Sequence, residues 1–346
     1  MDMTSTSDAD CLTNLTRMHR RDLLRWGLLA SLSGIVGCAN GVLSPELTAT
    51  AETIPQRWRQ DLPPPWRFVV LKEVSEPDPF LSVLQDGADM LAIDDGWLSA
   101  LPPEALQPIE APRLVLRLSQ QAQAFLKSLG PSLSSLVLPV GVSPWVMLFK
   151  KGHAWQVEAR QGWDVLLDPE LRGRVVLPRS PRLVISLAQS IKAGDALRRL
   201  RAQALAFDDQ DGLRWLLQGD ARAVVLPLQR CMENLRRDPR LMAVLPSSGA
   251  PLNWTLLVRS AKSKEPLPQS WVEQAWSNPL MAPLLADGWI APLPLGELRT
   301  ALGRVPRAYR ALVLPSQDVW SQCWSLPPLN PGESNALIEA WRDSTP

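Results

Sequence analysis

A chain of 346 residues carries 36 Lys and Arg against 35 Asp and Glu, a formal net charge of +1, which excludes the basic face a nucleic-acid binder needs. One tyrosine, two histidines and four cysteines leave little for metal or nucleophilic chemistry. His-rich zinc sites are excluded, and beyond the first forty residues any Ser-His or Cys-His pair rests on His153 alone.

The first forty residues carry a sharp local signal. Arg17, Arg20, Arg21 and Arg25 precede an apolar run, Trp26 to Gly37, that ends at Cys38. A positive flank, a short apolar core and small residues at a cleavage point describe a secretory signal peptide over residues 1–37. Twelve residues rise only about 18 Å as a helix, well short of the roughly 30 Å hydrocarbon core. His19-Arg20-Arg21-Asp22-Leu23-Leu24 resembles the bacterial twin-arginine export signal. Ile35-Val36-Gly37-Cys38 resembles the bacterial lipobox, which implies that the Cys38 thiol takes a lipid and becomes the mature N-terminus. A plain signal peptide with a chance cysteine is the alternative.

Removing residues 1–37 leaves 309 residues at an unchanged charge, because the leader holds four Arg and four Asp (32 minus 31). That length suffices for two lobes with a core each. Cys231 and Cys323 stand apart, without metal-ligand spacing, and read as small core hydrophobes. Residues 38–46 read as a linker. Trp66 to Lys72 then reads as a strand, Pro79 to Leu84 as a short helix and Asp89 to Ile93 as a strand. Asp94-Asp95-Gly96 reads as a turn before a helix near Trp97. Further on, Trp145 to Phe149 and Gly173 to Leu177 read as strands, and Pro181 to Ile191 as a helix with proline in its first turn. Asp208 to Leu217 looks helical, Ala221 to Leu226 like a buried strand and Leu228 to Arg237 like a helix. Met242 to Leu245 and Trp254 to Val258 complete the strands. Gln269–Ser277, Asn278–Ala286 and Glu333–Arg342 give a helical tail. Strands alternating with helices argue for parallel α/β units.

Several segments, in order, carry a family resemblance. Asp89-Met-Leu-Ala-Ile-Asp-Asp-Gly-Trp97 looks like a strand ending in pocket residues, and Pro139-Val-Gly-Val-Ser-Pro-Trp145 like a crossover between lobes. Trp163-Asp-Val-Leu-Leu-Asp-Pro-Glu-Leu-Arg-Gly-Arg-Val-Val-Leu177 matches a W-x-x-L-x-x-P-x-x-x-G-x-V/L pattern. Gly219-Asp220-Ala221 and Gly249-Ala250-Pro251 match two later segments. Together they resemble the spermidine/putrescine-type solute-binding proteins of ABC importers over nearly the whole mature chain. The resemblance implies the type II periplasmic-binding-protein fold, an α/β architecture of two lobes joined by a two-crossover hinge. It assigns residues 47–138 plus 260–346 to the first lobe and 139–259 to the second. It also implies a ligand cleft between the lobes, ABC permease subunits as partners, a periplasmic location with a lipid anchor, a monomer, and no cofactor or enzymatic activity.

The family's amine-holding residues are only partly present. Its acidic pair after the strand ending at Leu177 falls on Ser180 and Leu183, a later tryptophan falls on Pro227, and a Trp-x-Asp falls on Asn253-Trp254-Thr255. The acids that attract an amine are therefore expected to be largely missing from the second lobe. Iron binding by paired tyrosines is excluded, since Tyr309 stands alone. Asp94 and Asp95, at the carboxyl end of a strand, are candidates for a cation, with Asp95 as a helix N-cap the alternative. Trp97, Trp145 and Trp254 could face the cleft or pack in the core. Arg182, with Arg179 and Ser180, flanks a helix start that favours anions, or sits on a solvated surface. Gln229 and Asn253 offer neutral amides. Two rival functions remain: a pseudo-receptor or assembly factor whose cleft is filled by Leu183, Leu226 and Leu228, and an enzyme on the same fold.

Overall fold

In the computed structural model residues 44–71 and 79–346 are described; the signal peptide, the twin-arginine motif and Cys38 lie outside them. Ten strands form one path ordered β2-β1-β3-β10-β5-β8-β6-β7, with β4 on β10 and β9 on β5. They are β1 (Glu46–Thr50), β2 (Arg67–Leu71), β3 (Met90–Asp94), β4 (Leu106–Gln107), β5 (Val137–Lys150), β6 (Val175–Leu177), β7 (Ala204–Phe207), β8 (Ala223–Pro227), β9 (Leu241–Val244) and β10 (Leu252–Ser260). β1 runs parallel to β2 and β3, and β6 parallel to β7 and β8. β5 and β10 run antiparallel to their neighbours.

β5 belongs to both halves. Residues 137–144 pair with β10, and residues 145–150 pair with β8 and β9. Thirteen of its fourteen residues are buried, so it lacks the in-out alternation of a half-exposed strand. Its two prolines cannot donate to a ladder and fall where pairing changes. Pro139 faces Leu256 beside the register shift at Thr255/Leu256, and Pro144 makes the last pair with β10 at Leu252. The chain thus passes between the halves at Ser143–Trp145 and returns at Pro251–Asn253.

One buried core runs through both halves. In the first, Trp58 and Trp271 stack at 4.1 Å, and each indole N–H donates to the other's carbonyl, at 3.0 and 2.9 Å. Buried indoles need such acceptors. In the second, Trp163 donates to the Gly249 carbonyl at 2.9 Å, and α1 (Pro181–Ser190), α2 (Ala196–Gln203), α3 (Gly212–Gln218) and α4 (Leu228–Arg237) cover the strands. Cys231 and Cys323 are free and buried; burial pushes the Cys231 thiol up to about 12, which keeps it an unreactive thiol.

The structure corrects several sequence expectations. β1 occupies what reads as the end of a linker, β5 is three times the expected strand, and β7 had no counterpart. The closing helix α5 (Pro331–Asp343), started by a capping box between Asn330 and Glu333, was grouped with the first lobe. Its Trp341 meets Phe207 edge-on at 5.3 Å and lies under the Arg201 guanidinium at 4.1 Å. The chain reaches it along the crossovers, where Trp324 bonds to Ala250 and Leu252. No helix among the described residues is long and apolar enough to cross a membrane.

Candidate ligand-binding cleft

β3 delivers two carboxyl groups to the carboxyl edge of the first sheet, the edge at which open α/β sheets place ligands. Asp94 accepts a hydrogen bond from the Asn253 amide at 3.3 Å. Asp95 turns the other way and accepts the Trp254 backbone N–H at 3.1 Å. Asp94, not Asp95, holds the N-cap position of the following turn, and its side chain makes no cap bond; Asp95 is the turn's first residue. Burial raises Asp95 to about 8, opposed by the Trp254 N–H and reinforced by the charge of Asp94. Burial also raises Asp94, to about 6; the Asn253 bond opposes this, while Glu52 and Asp209 add to it and Arg230 offsets them.

Asp209 lies in the turn between β7 and α3, on the second half, and accepts the Arg179 N–H at 3.0 Å. Burial raises its pKa. The Asp209 charge acts on Asp94, although neither carboxyl group is among the residues that line the cavity between the halves. Ser180 and Leu183 do not replace the missing pair; Asp209 arrives from a different segment.

A cavity of about 590 Å³ opens between the halves, lined among others by Glu52, Pro55, Leu226, Gln229, Arg230 and Trp289. Arg230 crosses it and grips Glu52 with two bonds, Nε at 2.9 Å and Nη2 at 3.0 Å. Gln229 donates its side-chain amide to the Glu52 carbonyl at 3.1 Å and its backbone N–H to the Ser143 hydroxyl at 3.0 Å. Trp289 is 1% exposed, and its indole N–H has no acceptor among the described residues.

The other predicted residues separate. Trp254 has no exposed surface; it stacks on Phe125 at 5.0 Å and donates to the Ser325 hydroxyl at 2.8 Å, which removes it from solute contact. Trp145 is buried beside the crossover, and Trp97 lies edge-on to Phe80 at 5.4 Å. Ser180 is exposed and caps nothing with its hydroxyl. Arg182 is half-buried and donates to the Pro327 carbonyl, with Asp95 and Glu333 as its nearest acids. Of the predicted residues Gln229 lines the cavity, while Asp94, Asp95 and Asn253 cluster at the end of β3; Glu52, Gln210, Arg230 and Trp289 were missed. Asp208-Asp209-Gln210-Asp211 was the available signal for one of them, an acidic turn that resembles a helix start.

No protein-family model matches the chain, and no curated protein does. Solved structures do. The TpPotD lipoprotein Tp0655 of Treponema pallidum matches at a TM-score of 0.61 and 11% identity, over 86% of this chain and 98% of that one. The spermidine/putrescine ABC transporter substrate-binding protein PotD of Streptococcus pneumoniae matches at 0.59 and 11%, over 87% and 98%. A ferric binding protein of Campylobacter jejuni matches at 0.55 and 13%, over 87% and 99%. The chain has the type II periplasmic-binding-protein fold.

Proposed function

We propose that this protein is an extracytoplasmic solute-binding lipoprotein that hands a small, ammonium-bearing solute to an ABC permease. One observation carries the reading: a cavity of about 590 Å³ is lined by acids from both halves of the chain, Glu52 and Asp287 on one side and Glu233 on the other. Acids on opposing walls attract a cation and favour closure around it, the hinge movement by which binding proteins enclose ligands. Solved neighbours named for polyamine transport support the solute-binding role. The leader and Cys38 support export and a lipid anchor. Loss of membrane association in Cys38→Ser would confirm the anchor, and unchanged fractionation would refute it.

The pseudo-receptor reading keeps one observation: Leu183 and Leu228 are buried and the Arg230–Glu52 pair spans the cleft. The cavity beside that pair, lined by polar side chains, favours binding instead. No Ser, Cys or His is among the cavity-lining residues, so a hydroxyl or thiol nucleophile paired with an imidazole base is not provided there.

A thermal-shift screen against polyamines, amino acids, sugars and organic anions tests the proposal. A ligand at 100 times its Kd adds about 2.7 kcal/mol, enough to move the midpoint by several degrees. A shift with amines supports it. A shift confined to anions would move the site to Arg179 and Arg182, and no shift at all would favour the pseudo-receptor.

A further inference from the structure

α4 belongs to the second half, where it follows β8 and packs on β9, yet its side chains reach the first half at both ends. Near its start Arg230 grips Glu52 through Nε at 2.9 Å and Nη2 at 3.0 Å, and Gln229 donates to the Glu52 carbonyl at 3.1 Å. Near its end Arg236 meets the Asp287 carboxylate at 2.8 Å and the Ala286 carbonyl at 2.7 Å. Both acids sit firmly on the first half. Glu52 lies just beyond β1, and the turn holding Asp287 is pinned because Trp289 meets Trp58 at 4.9 Å and Ile290 bridges to Val142.

The backbone makes a second, independent contact. Gly288 has φ +81, and a Cβ on it would come within 2.9 Å of the Gln229 Cα and 2.8 Å of the Met232 side chain. A glycine there lets the turn lie directly against the helix. The halves therefore touch between the two ion pairs, so the arginines are not merely long side chains bridging an open gap. The pairs are also within reach of solvent: the Glu52 side chain is 58% exposed and that of Asp287 32%. Dissolved salt screens such pairs and weakens them.

We propose that the ion pairs of Arg230 with Glu52 and of Arg236 with Asp287 latch the two halves together before any solute arrives, and that the cavity opens only when this latch parts. All four residues line the cavity, so the latch sits at the entrance it controls. A receptor that waits open closes on its solute; a latched one must open first. Its apparent affinity falls by the fraction of molecules that are open, about tenfold where one molecule in ten is open. Arg237 marks the contrast within the same helix. It pairs at 2.7 Å with Glu233, one turn earlier on α4, and that pair holds nothing across the cavity.

The test is a pulsed electron-spin distance measurement on the full chain without solute, with labels at Asp61→Cys and Asp220→Cys, one exposed site on each half. At low salt the labelled chain shows one short separation. At about 1 M salt, where the Debye length falls to about 3 Å, a longer separation joins it. Arg230→Gln combined with Arg236→Gln lowers the closed-to-open ratio about tenfold, 1.4 kcal/mol, already at low salt, and Arg237→Gln does not. Arg230→Lys with Arg236→Lys keeps both charges and most of the short separation, which distinguishes a lost latch from a damaged fold. A long separation in the labelled chain at low salt overturns the latch, and so does a distribution that neither salt nor the double substitution changes. Either result leaves the solute-binding reading standing, because the thermal-shift screen tests that separately.

Discussion

The two walls of the cleft are made in opposite ways. The first ends a fully buried strand: four of the five residues of β3 are buried, and β1 and β10 flank it, so Asp94 and Asp95 are held by rigid backbone. The second is assembled from a turn and a helix start, Asp209 before α3 and Arg230 in α4. The first wall concentrates raised carboxyl groups; the second brings arginines as well as an acid. Affinity for a cation is thus prepared on one side and edited on the other.

The sharpest way to break this pairing is to push the walls apart. Gly288 has φ +81, and a Cβ there would meet Met232 at 2.8 Å and the Gln229 backbone at 2.9 and 3.0 Å. Gln229 is part of a helix and cannot give way as a side-chain end would. Gly288→Ala therefore combines left-handed strain with overpacking, and a loss of about 3 kcal/mol is expected. Chemical denaturation measures it; a loss under about 1 kcal/mol would mean that α4 is free to shift.

The first wall stores a cost of its own. The folded pKa of Asp95 lies near 8, above the roughly 3.9 of an unfolded aspartate. Between those values the folded state holds a proton that the unfolded state has released, so stability falls as pH rises from about 4 to 8. Asp95→Asn keeps an oxygen for the Trp254 N–H and has no proton to lose. The variant should match the wild type near pH 4 and exceed it by up to about 5 kcal/mol above pH 8. Equal pH dependence of the two proteins would show that Asp95 titrates normally.

The same contrast explains what could be read in advance. An apolar run ending in Asp-Asp-Gly marks a strand edge, so the first wall was legible. The second was hidden because β7 reads Ala204-Leu-Ala-Phe207, without a β-branched residue, directly after a helix. Alanine and leucine favour helix, so the strand vanished and the acids at 208–211 resembled a helix start. β5 was read as a short strand because its prolines interrupt the pattern, although Pro139 sits at a register shift and Pro144 where the ladder changes partners. Arg230 and Glu52 have no local signature at all; only the folding of the chain brings residues 178 positions apart into one ion pair.

If the second wall contributes through charge, neutralising its acid must weaken amine binding without harming the fold. Asp209→Asn keeps an oxygen for the Arg179 N–H and leaves the turn intact. A loss of about fivefold in affinity is expected, about 1 kcal/mol, with an unchanged thermal midpoint. An unchanged affinity would assign the ammonium to Asp94 and Asp95 alone.

The smallest effect is expected where two costs oppose each other. Trp289→Phe removes an unpaired buried N–H, a gain of about 1–3 kcal/mol. It also removes ring volume from the wedge against Gly141, and the resulting cavity costs a similar amount. Stability should stay within about 1 kcal/mol of the wild type, as chemical denaturation measures. A loss well beyond that would make Trp289 a packing residue whose ring volume outweighs its unpaired N–H, and a clear gain would show that the orphaned donor is the larger cost.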